Sequence, residues 1–187
     1  QFFFNLRHDF FDSHPKWYWY LPLFLLMWGI LIFVSWLVKK MPLITGGGIP
    51  QTRGVINGRV AYKHPFIEVI AKFVGGILAL STGLSLGREG PSVQIGSYVG
   101  CLVSKWGRVL AGERKQLLAA GAGAGLAAAF AAPLASSLLV IESIERFDAP
   151  KTAITTLLAG VVAGGVASWL FPITPYFQID ALVPRMT

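Results

Sequence analysis

Gly87-Arg88-Glu89-Gly90-Pro91 is the stretch on which the fold turns, and it has a counterpart upstream in Gly46-Gly47-Gly48-Ile49-Pro50. Each places glycines just ahead of a proline. Proline is favoured at the first position of a helix, where its missing N–H costs nothing. Glycine lets backbone approach a ligand closely and take angles closed to other residues. Each pentapeptide therefore predicts a bare helix N-terminus with accessible N–H groups. Such an end carries roughly half a positive charge, and its leading N–H groups lack partners within the helix. It can hold an anion without a full cation. Conduction needs binding strong enough to admit an ion and weak enough to release it, a balance that a full Lys or Arg charge would upset. Two such ends meeting at mid-depth in a membrane would form a weak, dehydrated anion site.

Glu89 sits immediately before the second of these N-termini. Its ionised carboxylate is attracted to the same N–H groups as a passing anion. It would occupy the site, block it, and leave when protonated or displaced. Burial favours the neutral form of a carboxyl group, so Glu89 is a candidate gate and proton carrier. The plain alternative is a glutamate that only stabilises the start of its helix.

Outward from the motifs, the chain reads as membrane-embedded. It has 187 residues, 54% of them hydrophobic and 13% charged, against about 25% charged in soluble domains. Its mean hydropathy is +0.60. The net charge of +7 is distributed between apolar runs, as at the ends of membrane spans, and no nucleic-acid-binding stripe forms. Residues 17–38 and 152–171 carry no charge, and each is long enough for a bilayer core that needs roughly 20 helical residues. Trp17, Tyr18, Trp19 and Tyr20 crowd one end of the first run, and Lys39 and Lys40 close the other. The stretches between are interrupted. Residues 66–87 carry Glu68, Lys72 and several glycines, 91–104 is short for a span, and Pro133 divides 116–141 into helices meeting near Ala132. Broken helices of this kind mark transporters whose site lies at mid-depth. Irregular backbone at that depth is tolerated only where protein or a water-filled cavity satisfies it. The fold class predicted is all-α and polytopic. By the excess of basic residues, Arg53, Arg59 and Lys63 with Lys39 and Lys40 fall on the cytoplasmic side.

Several features have plain explanations. The GxxxG spacings of Gly96 with Gly100, Gly121 with Gly125 and Gly160 with Gly164, and the Ala/Gly tract over 119–132, predict close helix packing. The single cysteine, Cys101, lies in an apolar run and is read as packing. Glu68 and Lys72, spaced i and i+4, predict an ion pair. His8, Asp9, Asp12 and His14 match no metal-ligand spacing. Arg108, Glu113, Arg114 and Lys115 read as a solvated turn, and Glu142, Glu145, Arg146 and Asp148 as the end of a helix. No metal site, cofactor or nucleophile–base–orienter set is found, so enzyme chemistry is not expected. The chain opens on Gln1 without a signal-peptide pattern, and a processed or truncated chain is expected.

The motifs resemble those of the CLC family of chloride channels and chloride/proton antiporters. Residues 87–91 look like its Gly-Arg-Glu-Gly-Pro signature and 46–50 like its Gly-Ser-Gly-Ile-Pro motif. Phe130-Ala131-Ala132-Pro133-Leu134-Ala135, leading into Val140-Ile141-Glu142, is similar to its helix pair at the dimer interface. The resemblance runs from the family's second membrane helix to the end of its first inverted repeat. It implies an inverted-repeat fold with re-entrant helices, with residues 1–187 as an N-terminal repeat lacking the first family helix and the second repeat. It implies a homodimer in the bilayer, in a plasma or inner membrane, with one anion pathway per subunit. By position, Glu89 would be the gating glutamate, and amides around Arg88, Glu89 and Gly90 would line the outer anion site. Gly47, with Gly48 and Ile49 beside it, would take the place of the central serine. Chloride is the ligand implied, with protons as the coupled ion of an antiporter.

Two departures bear on function. Gly47 removes a hydroxyl donor from the anion, which leaves fluoride or nitrate open as cargo. Ser143 stands where many proton-coupled members have a second glutamate, and Glu145 lies about 200° further round an α-helix. This leaves both a channel and an exchanger open. A membrane assembly subunit without transport is the reading from another class. It has no use for Glu89, an ionisable group that is expensive at that depth.

Overall fold

The computed structural model describes residues 20–84, 86–87, 89–145 and 150–170. Among the candidates named above, Arg88 lies outside the described residues, as do Trp17, Tyr18, Trp19, Arg146, Asp148 and the segment holding His8, Asp9, Asp12 and His14. The described residues are helical and joined by short turns: α1 (Tyr20–Lys40), a 3-10 turn (Pro42–Ile44), α2 (Ile49–Ile56), α3 (Pro65–Ser81), α4 (Glu89–Trp106), α5 (Ala111–Phe130), α6 (Pro133–Val140) and α7 (Pro150–Leu170).

Helices α1 and α7 are the described helices that are long and apolar enough to cross a bilayer. They match the two uncharged runs of the sequence. Helix α1 ends on Lys39 and Lys40, and the Lys40 ammonium lies 4.3 Å from the centre of the Trp36 ring, an arrangement suited to an interface. Helices α2 and α6 have 8 residues each. At about 1.5 Å per residue neither spans a hydrocarbon layer. The break before α6 falls where proline dictates it. Ala131 turns left-handed at φ 53°, Ala132 precedes the helix, and Pro133 opens it.

The packing is inverted relative to a water-soluble domain. Thr52, Gln94, Ser97, Ser137 and Thr156 are buried, while Leu, Ile, Phe and Trp side chains of α1, α3 and α7 face outward. That arrangement suits lipid as solvent, where helices associate through small residues and backbone contact. Helix α4 packs most extensively on α5, through glycines on both. A β-carbon at Gly96 would overlap the Gly121 carbonyl, and one at Gly121 would overlap that of Gly96. Helix α7 seats Gly160 and Gly164 against Pro133 and Ser137 of α6. Gly96→Val is therefore expected to force α4 and α5 apart, at a cost of at least 1–3 kcal/mol, roughly that of overpacking. Gly165, which has open space at its β-position, supplies the control. The monodisperse fraction in detergent should fall on heating at lower temperature for Gly96→Val and not for Gly165→Val.

Four expectations need correction. Helix α4 has 18 residues and begins at Glu89, so it is longer than the 91–104 stretch, and Pro91 stands within its first turn rather than at its first position. The Glu68–Lys72 pair does not form, because the Lys72 ammonium reaches backbone carbonyls of a distant segment. Glu113, Arg114 and Lys115 belong to the first turns of α5, not to a solvated turn, and Arg114 donates to Cys101 Sγ at 3.4 Å. Ile141–Glu145 winds as a π-helix, so the α-helical angle used to set Glu145 aside does not apply there.

Candidate functional site

The first glycine motif forms a tight entry into α2. Gly46 has φ 64°, and Gly48, at φ 88°, is the cap residue; no side chain caps the helix. Such angles favour glycine. Pro50 falls in the first turn, and the Thr52 amide donates to the Gly48 carbonyl at 2.9 Å. Among the described residues the amides of Gly46, Gly47 and Gly48 donate no hydrogen bond to backbone. The second motif enters α4 with Glu89 as its first residue and Gly90 buried behind it.

The two helix starts meet. A β-carbon on Gly90 would fall on the Gly47 carbonyl. One on Gly48 would lie 2.7 Å from Gln94 Oε1 and 2.8 Å from the Gly90 carbonyl oxygen. Backbone therefore touches backbone at Gly47 and Gly90, an approach that only glycine at position 90 permits, since the β-position of Gly47 is open. Gly46 and Gly47 of the first motif, Gly87 and Pro91 of the second, and Lys72 line one cavity of about 310 Å³ together with apolar residues of α1 and α3, while Gly48, Ile49, Glu89 and Gly90 lie outside its lining. Of the candidate residues, Gly48 and Gly90 are buried, Ile49 is half-buried, and Gly47 and Glu89 are exposed on the surface of this chain.

Beneath the junction a buried polar layer ties α2 to α4. The Tyr62 hydroxyl lies 3.4 Å from Thr52 Oγ1 and donates to Ser97 Oγ at 3.4 Å. Its ring sits 4.2 Å from that of Tyr98, whose hydroxyl accepts from Gln94 Nε2 at 3.2 Å. Lys72, Gln94 and Gln51 were not among the site residues expected, yet each donates to the segment that carries the first motif. The signal for Gln94 is a large polar side chain three residues beyond Pro91 in an apolar helix. Such a group is expensive in lipid unless it has partners. Glu142 is exposed on the π-helical segment, which packs against α2 and α5, with Ser143 half-buried beside it.

The family model described as voltage gated chloride channel matches residues 30–186. The chain belongs to that family. Among its relatives, the H(+)/Cl(-) exchange transporter ClcA of Vibrio cholerae is 38% identical over 154 residues, which make up 79% of this chain and 33% of that protein. ClcA of Citrobacter koseri is likewise 38% identical over 154 residues, 80% of this chain and 32% of the relative. The solved structure of a slow cyanobacterial Cl-/H+ antiporter superposes with a TM-score of 0.66 at 36% identity, covering 74% of this chain and 33% of that one. The chain thus spans about a third of the length of the relatives it matches. It is a membrane protein of all-helical, CLC-type fold. Both glycine-and-proline helix starts lie within the matched residues, and the fold brings them together in space.

Proposed function

We propose that the chain is the N-terminal repeat of a CLC-type anion transporter that moves chloride across a plasma or inner membrane in exchange for protons. The observation that carries this reading is the backbone contact between Gly47 and Gly90, which sets two helix starts on one cavity. Amides of Gly47, Gly48, Ile49, Glu89 and Gly90, with Arg88 beside them, would hold the anion by partial charges, strongly enough to admit it and weakly enough to let it go. Glu89, at the first position of α4, competes with the anion while ionised and withdraws on taking a proton. The task is transport rather than enzyme catalysis, and no cofactor is called for. A second repeat would complete the pathway, and a homodimer would form in the bilayer.

Proton exchange is favoured over a channel because the matched relatives are named as exchangers. Ser143 favours the second reading, a channel in which Glu89 only gates. The test is the reversal potential of anion current in bilayers holding the longest natural form of the protein, with chloride fixed and the proton gradient varied. A potential that moves with the proton gradient supports exchange. One that stays at the chloride value makes the protein a channel. A selectivity series with fluoride and nitrate, run in the same bilayers, reads the effect of glycine at position 47.

A further inference from the structure

The segment leading into the first glycine motif has successive carbonyls taken by side chains from three helices. Gln94 Nε2 of α4 donates to Leu43 O at 2.6 Å, and Lys72 Nζ of α3 donates to Ile44 O at 2.8 Å. Gln51 Nε2 of α2 donates to Thr45 O at 2.7 Å, and Lys72 Nζ donates again to Gly46 O at 2.7 Å. Lys72 is 6% exposed. Glu68, one turn away, is turned elsewhere: its Oε1 accepts from the His64 amide at 3.3 Å. An ammonium is costly to place in a membrane helix unless it finds partners, and here its partners are carbonyls, bound with the added strength of charge.

The peptide plane converts these bonds into a direction. In a trans peptide the carbonyl of one residue and the N–H of the next lie in one rigid plane and point in opposite directions within it. Fixing Thr45 O therefore aims the Gly46 N–H away from Gln51, and fixing Gly46 O aims the Gly47 N–H away from Lys72. Those are amides that donate to no backbone acceptor among the described residues. Glycines would otherwise let these planes rotate freely.

We propose that Lys72 is a positioning residue. It grips two carbonyls of the loop and so presets the Gly47 amide toward the anion, with Gln51 as the neutral anchor between its two bonds. The inference rests on the anion-transport reading above and deepens it, since it assigns the orientation of the first motif to side chains outside both motifs.

Lys72→Met, Lys72→Arg and Gln51→Leu, made in the longest natural form of the protein, test it. Chloride binding is followed by titration calorimetry in detergent and chloride flux in liposomes. Lys72→Met should weaken chloride binding about tenfold, the scale of one lost hydrogen bond to a charged group. Lys72→Arg should restore it to within about threefold, and Gln51→Leu should weaken it by about threefold, as loss of a neutral hydrogen bond does. Wild-type affinity in Lys72→Met overturns the proposal. So does wild-type affinity in Gln51→Leu beside a weakened Lys72→Met, because charge attraction alone then explains Lys72. If Lys72→Met is not recovered monodisperse, Gln51→Leu decides by itself. A wild-type protein that binds chloride without carrying it sinks the transport reading and leaves these comparisons intact. One that binds no chloride sinks both.

Discussion

Glu89→Gln is expected to leave anion flux running and to remove its response to a proton gradient. Glutamine keeps the size and polarity of the side chain but cannot ionise, so it neither competes with chloride for the α4 amides nor carries a proton. Glu89 is the first residue of α4, where a carboxylate gains from the helix end and a neutral amide gains much less. Proton movement coupled to chloride should drop by about 10²-fold or more, the lower range of what a positioned proton-transferring side chain contributes. Chloride flux should persist and lose its dependence on pH. The measurement is proton uptake into liposomes driven by an outward chloride gradient, beside chloride efflux from the same vesicles. Proton uptake undiminished in Glu89→Gln would place the carrier elsewhere and remove Glu89 from the mechanism.

Gly90→Ala is expected to be the most damaging single methyl group in the chain. The added carbon would fall on the carbonyl of Gly47, a backbone atom that cannot move aside as a side-chain tip can. Either α4 or the loop ahead of α2 must shift, and both helix starts lose their common geometry. Misplacing a binding constellation by a fraction of an ångström to an ångström costs on the order of 10²-fold. Chloride flux should fall by about that factor while the protein still elutes as a single species. Gly29→Ala in α1 is the control, since its β-position opens on empty space and it belongs to neither motif. Equal flux in the two variants would mean that the contact of Gly47 with Gly90 does not shape the anion path.

What the sequence made legible was local. Proline at 133 fixed the break between α5 and α6, because a ring without an N–H cannot continue a helix. The spacing of Gly96, Gly100, Gly121 and Gly125 announced a close crossing, and α4 and α5 cross there. The glycine-and-proline pairs marked two helix starts, and both are found. The partners of Lys72 were not legible. The i and i+4 spacing with Glu68 is a true local preference, worth only a few tenths of a kcal/mol. Two charge-assisted bonds to carbonyls of Ile44 and Gly46 outweigh it. Nothing in the neighbourhood of residue 72 could reveal an acceptor so far along the chain. The same holds for Gln94, whose acceptor on Leu43 lies 51 residues back along the chain.

Helix α1 shows no buried residue along its apolar window and packs chiefly on α3 and the 3-10 turn. With so few neighbours among the described residues, a helix this long and apolar is suited to hydrocarbon on its own. During synthesis such a segment can partition from the translocation machinery into the bilayer before its partners have emerged. The short α2, and the glycine-rich α4 and α5 that need each other's backbones, have no such independence. Their entry must wait for companions, and α1 is suited to hold the nascent chain at the membrane until they arrive.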